Sequence, residues 1–292
     1  MTDELRKLIA APHPEHAPLP PAAERAGGIR VLRGVPYGTV EGGRPLELDL
    51  WLPASAARPA PVVLFAHGGG WRRGRRDDMG VHTRRWTPTP FERIAAAGFA
   101  VAAADYRLSG EAAFPAQLDD LRTALHWLGV RAAQLGIAAE RTLAWGESAG
   151  GHLAALLALT HRDPPLAGAV VWYAPADLTT ARPPFDPAEP ATPEGLLLSA
   201  APATSPARAR AASPLHQVHA DAPPFLLVHG EQDRLVSVSH SRDLAAALRK
   251  AGAPAELRTV PGADHGWHGL GDAGVAEIFA ASLEFAATTL RI

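Results

Sequence analysis

Five short, continuously apolar runs recur through this chain: Val62–Ala66, Phe99–Ala104, Thr142–Trp145, Ala169–Tyr173 and Phe225–His229. A strand with no polar face has to be covered on both sides, which is the situation of a parallel strand inside a layered α/β sheet. Helical patterns capable of supplying the cover occur at Phe91–Ala97, Gln117–Leu135, Ala149–Leu159, Ser241–Ala251 and Val275–Leu290. Two further strand candidates, Ile29–Leu32 and Leu46–Leu52, come first. The second alternates strictly (Leu46, Leu48, Leu50, Leu52), as a hairpin partner at a sheet edge would. Glu256–Val260 closes the series. An antiparallel start followed by strand–helix alternation predicts an α/β, doubly wound domain with a mostly parallel eight-stranded sheet flanked by helices.

Two segments fall outside that alternation. Residues 1–28 hold a short amphipathic pattern (Leu5, Leu8, Ile9) and a Pro-rich stretch to Pro21, read as a surface arm. Residues 179–214 are rich in Pro and Ala and too long for an ordinary connection, so they are expected to form a cap or lid insertion in a single catalytic domain over 29–292.

Composition removes several function classes. With 28 basic and 30 acidic residues the formal net charge is −2, which offers no electrostatic footprint for nucleic acid or an anionic membrane. There is no cysteine, so thiol nucleophiles, disulfides and thiolate metal sites are absent. Only Lys7 and Lys250 occur; neither sits in a Walker A loop, and Glu4 and Ala247 stand where a Ser-x-x-Lys hydrolase needs serine. Gly269-Leu270-Gly271-Asp272-Ala273-Gly274 matches a dinucleotide fingerprint, yet it follows no strand and leaves too little chain for a βαβ unit. No cofactor and no metal are expected. Acidic Asp3 and Glu4 precede a very short apolar stretch, unlike a secretory signal, so the expectation is a cytoplasmic protein.

Gly146-Glu147-Ser148-Ala149-Gly150 is a Gly-x-Ser-x-Gly pentapeptide placed where a strand candidate runs straight into a helical one. Such a turn needs glycines to avoid Cβ clashes and lifts the serine Oγ above the sheet. A serine hydroxyl is a poor nucleophile and needs a positioned base, itself oriented by an acid. In open α/β sheets catalytic groups gather at the carboxyl ends of strands. That rule selects Asp233, after Phe225–His229, and His265, after Glu256–Val260. Asp233 is favoured over Glu231, which is closer to its strand, and over Asp264, whose adjacency to His265 disfavours a facing geometry. Of the other histidines, His67 is read as bonding its own loop, His152 as opening a helix, and His216 and His219 as solvated.

His67-Gly68-Gly69-Gly70-Trp71 follows the strand Val62–Ala66. Consecutive glycines let backbone N–H groups converge on one point, as a tetrahedral oxyanion requires. The N–H groups of Gly69, Gly70 and Ala149 are assigned to that hole. Trp71 and Trp267 are expected to wall the substrate pocket, with Glu147 beside the nucleophile. Trp172 ends a strand and is divided between pocket and core.

With these residues in place, the chain resembles the α/β-hydrolase superfamily from about Val31 to its end. It is similar to the carboxylesterase/lipase branch in Gly146 to His152, in Asp105-Tyr106-Arg107-Leu108, in Phe114-Pro115-Ala116-Gln117 and in Asp119-Asp120. Trp71 after the glycines also resembles arylformamidases and the feruloyl and acetyl esterases, and Glu147 in place of Asp is a variation within the branch. The resemblance implies a serine-dependent hydrolase of small acyl or aromatic esters that forms an acyl-enzyme. Its partner would be a small-molecule ester, in a monomer or a homodimer. The alternatives are an arylformamidase or amide hydrolase with the same triad, and a non-catalytic binding protein on the same fold.

Overall fold

The computed structural model describes residues 13–54 and 58–292; the amphipathic pattern at Leu5, Leu8 and Ile9 lies outside them. Strands β1 (Ala23–Arg25), β2 (Ile29–Gly38), β3 (Leu46–Leu52), β4 (Ala60–Ala66), β5 (Ala100–Ala104), β6 (Ile137–Glu147), β7 (Gly168–Trp172), β8 (Phe225–Gly230) and β9 (Ala255–Val260) form one sheet in the order β1-β2-β3-β5-β4-β6-β7-β8-β9. The pairs β1–β2, β2–β3 and β3–β5 are antiparallel, and every pairing from β5 through β4 to β9 is parallel. The sheet therefore has nine strands where the sequence predicts eight. The extra one, β1, is three exposed residues in the arm, with no apolar pattern to announce it.

Helices α1 (Pro90–Ala96), α2 (Ala116–Leu135), α3 (Ala149–Thr160), α6 (Ser239–Lys250) and α7 (Asp272–Leu290) cover the sheet. The connection from β7 to β8 carries two short ones, α4 (Pro193–Leu198) and α5 (Pro206–Ala211). Strand parity sorts the core into two layers, because successive side chains point to opposite faces. In β4, Val62, Leu64 and Ala66 pack with Leu121 of α2, Leu156 of α3 and Leu244 of α6. Val63 and Phe65 pack with Phe91 of α1 and Phe279 of α7. By length and composition α7 is apolar enough to cross a membrane, but Val275, Ile278, Phe279, Ala286 and Leu290 are buried within the second layer.

Strand β3 departs from its predicted place at an edge: it lies inside the sheet between β2 and β5. Asp49 is buried there because Arg33 and Arg76 both pair with it, so the polar position of the alternation never reaches water. The described part of the arm meets α2 at Pro14, whose carbonyl accepts from both the indole of Trp127 and the guanidinium of Arg131.

Candidate active site

Strand β6 runs into Ser148 and α3 leaves it, and the turn between them is unusual for a serine, with φ 52° and ψ −119°. Backbone in this region is held only where the surroundings over-determine it. Here the Ser148 N–H donates to the Trp172 carbonyl at 2.9 Å, and its own carbonyl takes the His152 N–H at 2.9 Å. The side chain is thereby presented above the carboxyl end of the sheet.

Strands β8 and β9 bring the other two predicted residues to it. His265 Nδ1 lies 2.8 Å from Asp233 Oδ2, and His265 Nε2 lies 3.0 Å from Ser148 Oγ. A carboxylate only accepts, so Nδ1 carries the proton and Nε2 presents its lone pair to the serine hydroxyl. Asp233 Oδ1 accepts the N–H groups of Leu235 (2.9 Å) and Val236 (2.8 Å). Burial works against its charge, but hydrogen bonds from His229 and His265 win and hold its pKa well below the usual carboxylate range. His229 was not singled out from the sequence. It donates from Nε2 to the Val236 carbonyl (2.8 Å) and faces Asp233 Oδ2 at 3.3 Å, while Ser241 meets its Nδ1 at 2.7 Å. The rival acids are engaged elsewhere: Glu231 accepts from Thr259, and Asp264 accepts the His265 N–H and pairs with Arg234.

The glycine loop after β4 faces the same serine. Gly69 has φ 109°, and a Cβ there would run into the Arg73 carbonyl. The Gly68 N–H is taken by Glu147 Oε1 at 2.9 Å. The Gly69 and Gly70 N–H groups, by contrast, have no backbone acceptor among the described residues. Ala149 is the first residue of α3, where an N–H has no partner within the helix. His67 holds the loop from below: its Nδ1 is bonded to the Gly68 carbonyl, and the Tyr106 hydroxyl donates to the His67 carbonyl at 2.7 Å.

These groups open into a cavity of about 700 Å³. Ser148, His265, Gly69, Gly70 and Ala149 line it, together with Trp71 and Glu147. The connection from β7 to β8 contributes Phe185 and Pro193, and the chain after β8 contributes Leu235 and Val236. Glu147 is pushed up in pKa by burial, against the pull of Tyr173 and of the Gly68 N–H.

Two expected walls are elsewhere. Trp172 shares the parity of Val170, which turns it into the α7 layer, where its Nε1 donates to Ser282 at 3.0 Å. Trp267 is buried behind the site, edge-on to Tyr173 and Trp172, because a left-handed backbone (φ 68°) turns it inward. Tyr173, to which the sequence assigns no site role, takes the place at the wall. Its φ of 37° breaks the strand alternation, and its ring meets that of His265 edge-on at 4.8 Å. Its position at the end of the apolar run Ala169–Tyr173 is the signal that the sequence offers. His216 and His219, read as solvated, are partly buried and bonded, to Thr179 and to the Leu159 carbonyl respectively.

Residues 48–248 match the family model BD-FAE. Esterase LipQ of Mycobacterium tuberculosis is 32% identical over 79% of this chain and 56% of the relative. Esterase LipC of the same organism is 29% identical over 85% of this chain and 64% of the relative. The chain thus spans just over half to just under two thirds of the length of these curated relatives. Among solved structures, an esterase from Thermogutta terrifontis with propionate bound superposes with a TM-score of 0.68 at 27% identity, over 87% of this chain and 92% of that one. Fold, site geometry and family match agree, and the chain belongs to the BD-FAE family of α/β-hydrolase carboxylesterases.

Proposed function

We propose that this protein hydrolyses carboxylic esters with small acyl or aromatic groups, through an acyl-enzyme on Ser148. One observation carries the reading: the continuous hydrogen-bond relay Asp233–His265–Ser148 ends in a cavity where the Gly69 and Gly70 N–H groups make no backbone hydrogen bond. His265 Nε2 removes the hydroxyl proton as Ser148 Oγ attacks the acyl carbon. Asp233 keeps the imidazole in the required tautomer and stabilises the imidazolium. The carbonyl oxygen becomes an oxyanion against the N–H groups of Gly69, Gly70 and Ala149, and one such donor is commonly worth about 10²–10³ in turnover. His265 then protonates the leaving alcohol. Water, activated by the same nitrogen, returns the acid and the free serine. Aromatic and proline walls around 700 Å³ suit a compact acyl or aryl group. Relatives bearing the name esterase support the same chemistry.

The test is a substrate panel: p-nitrophenyl esters of increasing acyl length beside N-formylkynurenine and aminoacyl anilides. Short esters should give the largest kcat/KM. A larger kcat/KM on the formamide or the anilides would replace ester hydrolysis by amide hydrolysis with the same residues.

A further inference from the structure

The segment between β4 and α1 carries six arginines: Arg72, Arg73, Arg75, Arg76, Arg84 and Arg85. Three are neutralised locally. Arg75 pairs with Asp77 at 2.9 Å, Arg84 with Asp78 at 2.6 Å, and Arg76 sits among Glu47, Asp49 and Asp105. Arg72 and Arg73 have no carboxylate within 4.0 Å among the described residues, and both line the cavity above Ser148. The Arg72 N–H closes a turn onto the Gly69 carbonyl at 3.2 Å, which ties the Arg72 backbone to the glycine loop.

Among the described residues, the only carboxylates on the cavity wall are Glu147 and Glu194. Glu147 is committed to the Gly68 N–H, and burial favours the neutral form of each. The wall also carries the apolar side chains of Phe185, Pro193, Leu235 and Val236. The lining therefore combines apolar side chains with two arginines that have no carboxylate partner among the described residues.

We propose that Arg72 and Arg73 form an anion-recognising rim, and that the preferred ester carries a carboxylate on an apolar acyl or aryl body. This rests on the ester-hydrolase reading of the same cavity. A guanidinium presents its donors as a planar fork that matches a carboxylate. Because both side chains are exposed, the attraction is screened by salt.

The experiment compares two matched ester pairs. Mono-4-nitrophenyl glutarate against 4-nitrophenyl pentanoate places the anion on the acyl side; 4-(butanoyloxy)benzoate against its methyl ester places it on the leaving group. For each pair the readout is kcat/KM of the anionic ester divided by that of the neutral one, so general damage to the site cancels. In at least one pair the ratio should fall about 10-fold in Arg72→Gln/Arg73→Gln, chiefly through KM, and less in Arg72→Lys/Arg73→Lys. The wild-type ratio should also fall with added salt, and the Gln variant's should not. Ratios that stay within about twofold in both pairs, with all four esters hydrolysed, overturn the rim and leave ester hydrolysis standing. Failure of the wild type to cleave any of the four overturns both.

Discussion

The indole N–H of Trp71 donates to Nδ1 of His152 across 3.2 Å, and that bond fixes the proton of a buried histidine. Indole is a donor only, so Nδ1 accepts and Nε2–H must be the donor to the Ala212 carbonyl at 2.6 Å. One imidazole thus ties together the glycine loop, helix α3 and the end of α5. Burial lowers its pKa to about 4.

Two outcomes are expected at His152. His152→Phe leaves the indole N–H and the Ala212 carbonyl both unpaired, at a cost of roughly 2–4 kcal/mol, and loosens Trp71 beside the proposed oxyanion donors. Denaturant unfolding should show that loss, and kcat should fall with it. His152→Gln keeps an acceptor and a donor and should recover much of both. The pH dependence has a definite sign. The unfolded imidazole takes its proton near its ordinary 6.5, and the folded one only at about 4. The stability due to the neutral His152 is therefore complete above 6.5 and is lost as pH falls toward 4. A plot of Tm against pH over that window should be flatter for His152→Gln than for the wild type.

Glu147 gives the opposite trend. Its folded pKa lies above the ordinary 4.5 because burial disfavours the charge. As pH rises through 4.5 the unfolded carboxyl ionises first, so this group costs the fold stability at higher pH. Glu147→Gln retains an oxygen for the Gly68 N–H and has nothing to ionise. The Tm difference, variant minus wild type, should grow between pH 4 and pH 7. A constant difference across that range would contradict a raised pKa.

Gly69 and Gly70 separate steric from conformational cost. Both have positive φ, but a Cβ on Gly69 meets the Arg73 carbonyl whereas one on Gly70 has only Pro193 at 3.6 Å. Gly69→Ala should displace the loop and lower kcat about 10²-fold or more, with circular dichroism unchanged. Gly70→Ala should cost only the left-handed conformation, about 1–2 kcal/mol, and retain more activity. The reverse order would remove Gly69 from the proposed oxyanion hole.

Much of this site could be read from the chain because strand ends are visible in sequence. Ser148 and Asp233 each follow an apolar run and His265 follows the alternating strand Glu256–Val260, and parallel strands deliver their carboxyl ends to one edge. What escaped depends on contacts between distant segments. Trp71 meets His152 and His152 meets Ala212 only after the sheet has formed. Trp172 was divided between pocket and core because its place at a strand end was legible and its side of the sheet was not. Counting parity from Val170 turns it away, and the positive φ of Tyr173 brings the next residue forward instead. The three residues of β1 carry no apolar signal at all, since they are exposed and held by backbone pairing to β2.

The most direct measurement of the central claim is intact-mass and peptide mass spectrometry after exposure to a fluorophosphonate, run beside hydrolysis of a short p-nitrophenyl ester. Wild-type protein should take up one phosphonyl group, located on Ser148, and lose hydrolysis in step. Ser148→Ala should take up none there and should fall by several orders of magnitude in turnover, with the residual due to binding and oxyanion contacts. Near-wild-type hydrolysis by Ser148→Ala, or inactivation of the wild type with the adduct on another residue, would contradict Ser148 as the nucleophile.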